Sequence, residues 1–117
     1  MTKSLDGIWT AEVYGPFGWE SLGILILENG RIMGGGNRHY SSGRLQREGK
    51  NLKATIDVHY YGPPRAMFGE SEETFQTMLD LQLNEADDVA EGKIRRSDKR
   101  NYDLQMRLTR RMGMPAE

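Results

Sequence analysis

In Leu52-Lys53-Ala54-Thr55-Ile56-Asp57-Val58-His59-Tyr60-Tyr61 the side chains alternate in character, residue by residue. Leu52, Ala54, Ile56, Val58 and Tyr60 fall on one face, and Lys53, Thr55, Asp57, His59 and Tyr61 on the other. A period of two is the signature of a strand with one face buried and one wet. The same alternation recurs downstream. Phe75, Thr77, Leu79, Leu81 and Leu83 oppose Gln76, Asp80 and Gln82, while Tyr102, Leu104, Met106 and Leu108 alternate with Asp103, Gln105 and Arg107. Between them a weaker strand runs from Val89 to Arg95, with Ala90, Gly92 and Ile94 aligned.

Upstream, Ile8–Tyr14 reads as a first strand with Trp9, Ala11 and Val13 on one face and Thr10 and Glu12 on the other. Glu20–Glu28, Arg31–Gly34 and His39–Arg47 complete the set. Fourteen glycines and four prolines punctuate these runs, the pattern of a β meander. Asn29-Gly30 is the strongest hairpin signal, because a tight primed turn needs positive φ at both central positions. Gly15–Gly18, Glu48–Asn51, Asn84–Asp88 and Ser97–Asn101 supply further turns, and Gly34-Gly35-Gly36 is expected to break or bulge the chain. Gly62-Pro63-Pro64 ends the fifth strand and opens a long loop through Glu70, and a helical turn could begin at Ser71. No stretch sustains an apolar period of 3.6. Eight successive strands with short turns predict an all-β, up-and-down antiparallel barrel of the lipocalin or calycin kind, since closure removes exposed edges.

The chain has 117 residues and 13.3 kDa, room for a single domain spanning 1–117 and one core. A domain of this size buries about two-thirds of its unfolded surface, so a slender barrel filled by its own side chains suits it better than a wide cavity. Charged residues make up 28% and the net charge is −1, which argues against direct nucleic-acid binding. With no cysteine there is no disulfide and no thiolate nucleophile or metal ligand. Met1–Asp6 has no apolar signal core, and no apolar run approaches the roughly 20 residues that span a bilayer. The expected setting is the cytoplasm, away from membranes.

Catalytic and metal chemistry find no pattern in the residues. His39 and His59 are the only histidines, are read as lying on polar strand faces, and lack the spacing of a metal site. Glu70, Glu72, Glu73, Asp80, Asp87 and Asp88 fall mostly where turns are expected, and no serine sits in a nucleophile elbow. The glycine triplet lacks the spacing of a phosphate loop. No catalytic residue, metal or cofactor is therefore expected. Lys93–Arg100 and Arg107–Arg111 could form one cationic patch at a barrel end, although nearby acids dilute it.

Two surfaces remain. Trp9, Val13, Leu79, Leu81, Leu104 and Met106 form inward rows that could line a pocket for a small apolar, lipid-like ligand, or simply fill the barrel. Leu22-Gly23-Ile24-Leu25-Ile26-Leu27 is apolar on both faces. Its second face, carried by Leu22, Ile24 and Ile26, needs a cover; self-association is the simplest one, and crossing loops or the C-terminal tail could do the same. Gly7-x-Trp9 with a late-strand arginine, Arg107 or Arg110, is similar to the lipocalin-type arrangement in which a tryptophan plugs one barrel end beneath a guanidinium.

The order Asp6-Gly7-Ile8, Gly23-Ile24-Leu25-Ile26, Asn29-Gly30-Arg31-Ile32, Gly34-Gly35, Tyr40, Gly43-x-Leu45 and a closing Gly113-Met114-Pro115 resembles the GrlR-like negative regulators of type III secretion genes. The resemblance spans most of the chain and is densest before Tyr61. It implies a dimeric eight-stranded lipocalin-like barrel that acts by binding a transcriptional activator protein rather than DNA. Two departures bear on the partner. The family's acidic run after the fourth strand is replaced here by Arg47-Glu48-Gly49-Lys50, and Gly36 stands where the family has an acid.

Overall fold

The computed structural model describes residues 4–15, 17–36, 39–61, 74–97 and 99–115, with the side chains of 99–102 excepted. The expected helical turn at Ser71, the loop through Glu70 and the side chain of Tyr102 lie outside those residues. Eight strands follow one another: β1 (Gly7–Gly15), β2 (Gly18–Glu28), β3 (Arg31–Gly35), β4 (His39–Glu48), β5 (Asn51–Tyr60), β6 (Thr74–Leu83), β7 (Val89–Arg96) and β8 (Lys99–Met112). Each pairs antiparallel with the next, and β8 returns to β1, so the sheet closes as an up-and-down barrel. Closure leaves no edge strand to template aggregation.

The turns follow from local chemistry. Asn29 and Gly30 take φ of 51° and 75°, the paired positive values of a primed hairpin turn. The glycine triplet breaks the strand only at Gly36. Gly34 and Gly35 continue β3, paired with Leu25 and Ile24 on one side and with Ser41 and Tyr40 on the other. The backbones approach so closely here that a Cβ on Gly34 would collide with the Ile24 carbonyl oxygen. Glycine thus permits close sheet packing where a break is expected. The final turn is also tighter than its composition suggests, for β8 already begins at Lys99.

The alternation of β1, β5, β6 and β8 delivers one apolar row per strand to the interior. Trp9, Ala11 and Val13 meet Leu52, Ala54 and Ile56, then Leu79, Leu81 and Leu83, and finally Met106 and Leu108, all buried. Leu5, Leu25, Leu27, Ile32, Ala90 and Ile94 complete the core. Trp9 is fully buried and its indole N–H donates to the Leu5 carbonyl at 2.9 Å, so the one polar atom of the plug is satisfied.

Candidate functional site

The interior is filled. Of the inward residues that could line a pocket, Trp9, Val13, Leu79, Leu81 and Met106 are core, and Leu104 packs against them partly buried. A cleft of about 50 Å³ remains, bordered by Met106, Ile56, Val58, Ser41, Thr77 and His39 among others. A water occupies about 30 Å³, so this space suits one or two waters.

Each end of the barrel carries its own closure. Trp9 closes one end beside Arg110, its register partner on β8, whose Nη2 donates to the Asp6 carbonyl at 2.8 Å. Arg107 points the other way. Its guanidinium lies on the outer face, 4.3 Å from the ring centre of Trp19, with Nη2 3.2 Å from the Glu12 carboxylate. Of the two late arginines, Arg110 is therefore the one next to the plug. At the opposite end His39, Tyr60, Phe75 and Arg96, from four consecutive strands, converge on one another. Ring centres are 5.8 Å apart for His39–Tyr60 and 6.0 Å for Tyr60–Phe75, and the buried Arg96 guanidinium lies 5.0 Å from Phe75. His39 thus belongs to the inner face of β4 rather than to a polar outer face. The reason is parity: Ser41 on the same face is buried while Tyr40 and Ser42 are exposed. Neither Arg96 nor His39 is part of an apolar period, which hides this second closure in the sequence.

The doubly apolar strand divides unexpectedly. Opposite Ala11 and Glu12 the β1–β2 register jumps from Gly23 to Ser21, leaving Leu22 as a bulge residue. The bulge resets the alternation, so Leu22 turns toward the core cluster while Ile24 and Ile26 stay on the outer face. The register then links Met112, Ile8, Ile26 and Met33 in one row across four strands. Ile24 is 48% exposed, Met33 44% and Met112 50%, so this is an uncovered apolar band. Beyond Gly35, Tyr40 continues it, stacked on His59 at 5.0 Å and on Tyr61 at 6.4 Å. The Tyr61 hydroxyl donates to the Gly36 carbonyl at 2.8 Å.

Among the described residues, the basic side chains of Lys93–Arg100 and Arg107–Arg111 do not form one patch at a barrel end. Arg96 is buried, Arg107 is paired with Glu12, and the Arg111 Nε donates to the Thr10 hydroxyl at 2.9 Å. Asp80 projects from the polar face of β6, as the alternation there predicts. At the Trp9 end, Asp87 ties two loops together. It accepts from Lys50 Nζ and, at 3.1 Å, from Arg47 Nη2. The hydrogen bond from Lys50 is the main cause holding the Asp87 carboxyl below its ordinary range, helped by Arg47 and opposed by burial. Among the described residues no three His, Asp or Glu side chains converge as a metal site, and no helix is long and apolar enough to cross a membrane. No family model matches the chain, and no curated protein is similar to it in sequence.

Proposed function

We propose that this barrel is a non-enzymatic, GrlR-like binding protein of the cytoplasm, a homodimer that acts as a negative regulator by holding a transcriptional activator protein. The observation that carries the reading is the contrast between the two sides of the wall. The inside retains about 50 Å³. The outside carries an uncovered band through Ile8, Ile24, Ile26 and Met33, at residues where a soluble barrel would ordinarily be polar. Apolar area of that kind contributes about 25 cal/mol per Å² when covered, which favours association through the outer wall.

The test is a pull-down with the purified chain against a helix-turn-helix activator encoded beside it, with sedimentation of the same sample. A dimer that retains the activator, and that shows no affinity for duplex DNA alone, supports the reading. A monomer that retains no protein overturns it. The alternative, carriage of a small apolar ligand, would have to open the row that Trp9, Val13, Leu79 and Leu81 now fill. Fatty acids should therefore give no thermal shift, and native mass spectrometry should find no lipid with the purified chain.

A further inference from the structure

The outer wall beside the apolar band carries a different pattern. Glu28, Arg31, Arg44, Thr55, Met78 and Arg95 are successive register partners from β2 to β7, forming one row around the barrel. The adjacent row runs Gln46, Lys53, Asp80, Lys93, Gln105. Apart from Glu28 and Gln105, which end the rows, these residues line a saddle-shaped concavity of about 880 Å³. The concavity therefore holds Arg31, Arg44, Arg95, Lys53 and Lys93 against Asp57, Asp80 and Asp103, on a chain whose net charge is −1. Arg31 reaches Glu28 at 3.4 Å, whereas Arg44, Lys53, Lys93 and Arg95 have no ion pair among the described residues.

Arg31 and Arg44 stand directly opposite each other across β3 and β4. Like charges in that position destabilise a sheet. Glu28 offsets Arg31 alone, whereas an anion seated between the two guanidiniums would offset both. Arginine also presents a planar fork matched to a carboxylate. Met78, 39% exposed within the arginine row, and Met33, 44% exposed beside it, add adaptable apolar contact.

We propose that this saddle docks an acidic segment of a protein partner, one that alternates carboxylates with apolar side chains. The proposal rests on the barrel's acting by protein binding and names the chemistry of what it binds. A nucleic-acid backbone fits less well: Asp80 between Lys53 and Lys93, with Asp57 and Asp103 at the rim, would face a continuous line of phosphates. A peptide can place its own carboxylates at the arginine row and neutral residues at the aspartates.

The probe is a fluorescein-labelled twelve-residue peptide of alternating Glu and Leu, read by anisotropy. A Lys-for-Glu version and a dT12 oligonucleotide serve as comparisons. The acidic peptide should bind, and its binding should weaken as salt rises. R44E/K53E/R95E should weaken it at least tenfold, while R111Q, on β8 outside the saddle, should leave it unchanged. R44Q guards against a merely misfolded triple variant: it should bind the peptide more weakly yet melt at a higher temperature, because it removes the facing arginine charge. Absent binding, equal binding by the triple variant, tighter binding of dT12, or conversion of a dimer to a monomer by the triple variant would each overturn the proposal. If the peptide fails but the activator is still retained in the pull-down, only the saddle is refuted. If both fail, the protein-binding reading falls with it.

Discussion

Trp9 and Asp87 show how single residues hold this barrel in opposite ways. Trp9 does so by volume, being fully buried with its N–H satisfied by Leu5. Trp9→Ala removes the plug and leaves a cavity that the surrounding strands cannot fill, a change that costs about 3–5 kcal/mol. Chemical denaturation should show that loss, a large part of the about 5–15 kcal/mol that stabilises a typical domain. Asp87 acts by charge, joining the β4–β5 turn to the β6–β7 loop through Lys50 and Arg47. Its carboxyl titrates below the ordinary value, so its contribution is present above about pH 3.9 and is lost as pH falls through the lower folded value. Asp87→Asn should therefore melt at a lower temperature than wild type at pH 7, and the two melting temperatures should converge at acid pH. A constant gap from pH 7 to pH 2 would contradict the assignment. Asp87 also has a positive φ of 57°, which asparagine tolerates as well as aspartate, so the substitution isolates the charge.

Among the elements, legibility followed periodicity. β5, β6 and β8 could be read directly because Leu52, Ala54, Ile56 and their counterparts alternate without interruption. Asn29-Gly30 fixed a turn because few other residues accept its dihedral angles. Where a local device changed the phase, the reading failed. The bulge at Leu22 moves one residue of an apparently uniform apolar face into the wall's other side, and the one mark of it in Leu22–Leu27 is Gly23, which takes a φ of 126° beside the bulge. Gly34 and Gly35 suggest a break, yet they serve close approach between paired backbones, a property of three strands together. The second closure was hidden for a similar reason: His39, Tyr60, Phe75 and Arg96 are distant in sequence and meet only because four strands end side by side. Of the candidate sites, the inward rows were legible as core, whereas the charged saddle was not. Its rows are cross-strand, and their order emerges only from the register.

For the molecule as a whole, the barrel separates two tasks. Its interior is used for stability, with the inward rows packed against one another and little space left between them. A panel of fatty acids should thus leave the melting temperature unchanged, and a rise of several degrees with one member would show that the core opens to admit a ligand. Recognition is proposed for the outer wall, where the apolar band through Ile24 and Met33 adjoins, at Met33, the concavity that holds Arg44 and Arg95. The band is proposed to join two copies and the saddle to receive an acidic segment. Sedimentation equilibrium of wild type beside Ile24→Lys/Met33→Lys tests the outer-wall account most directly. Wild type should sediment at twice the 13.3 kDa chain mass and the variant at the chain mass, with the same circular dichroism spectrum. A wild type that remains a monomer at every concentration, or a variant that remains a dimer, would contradict it.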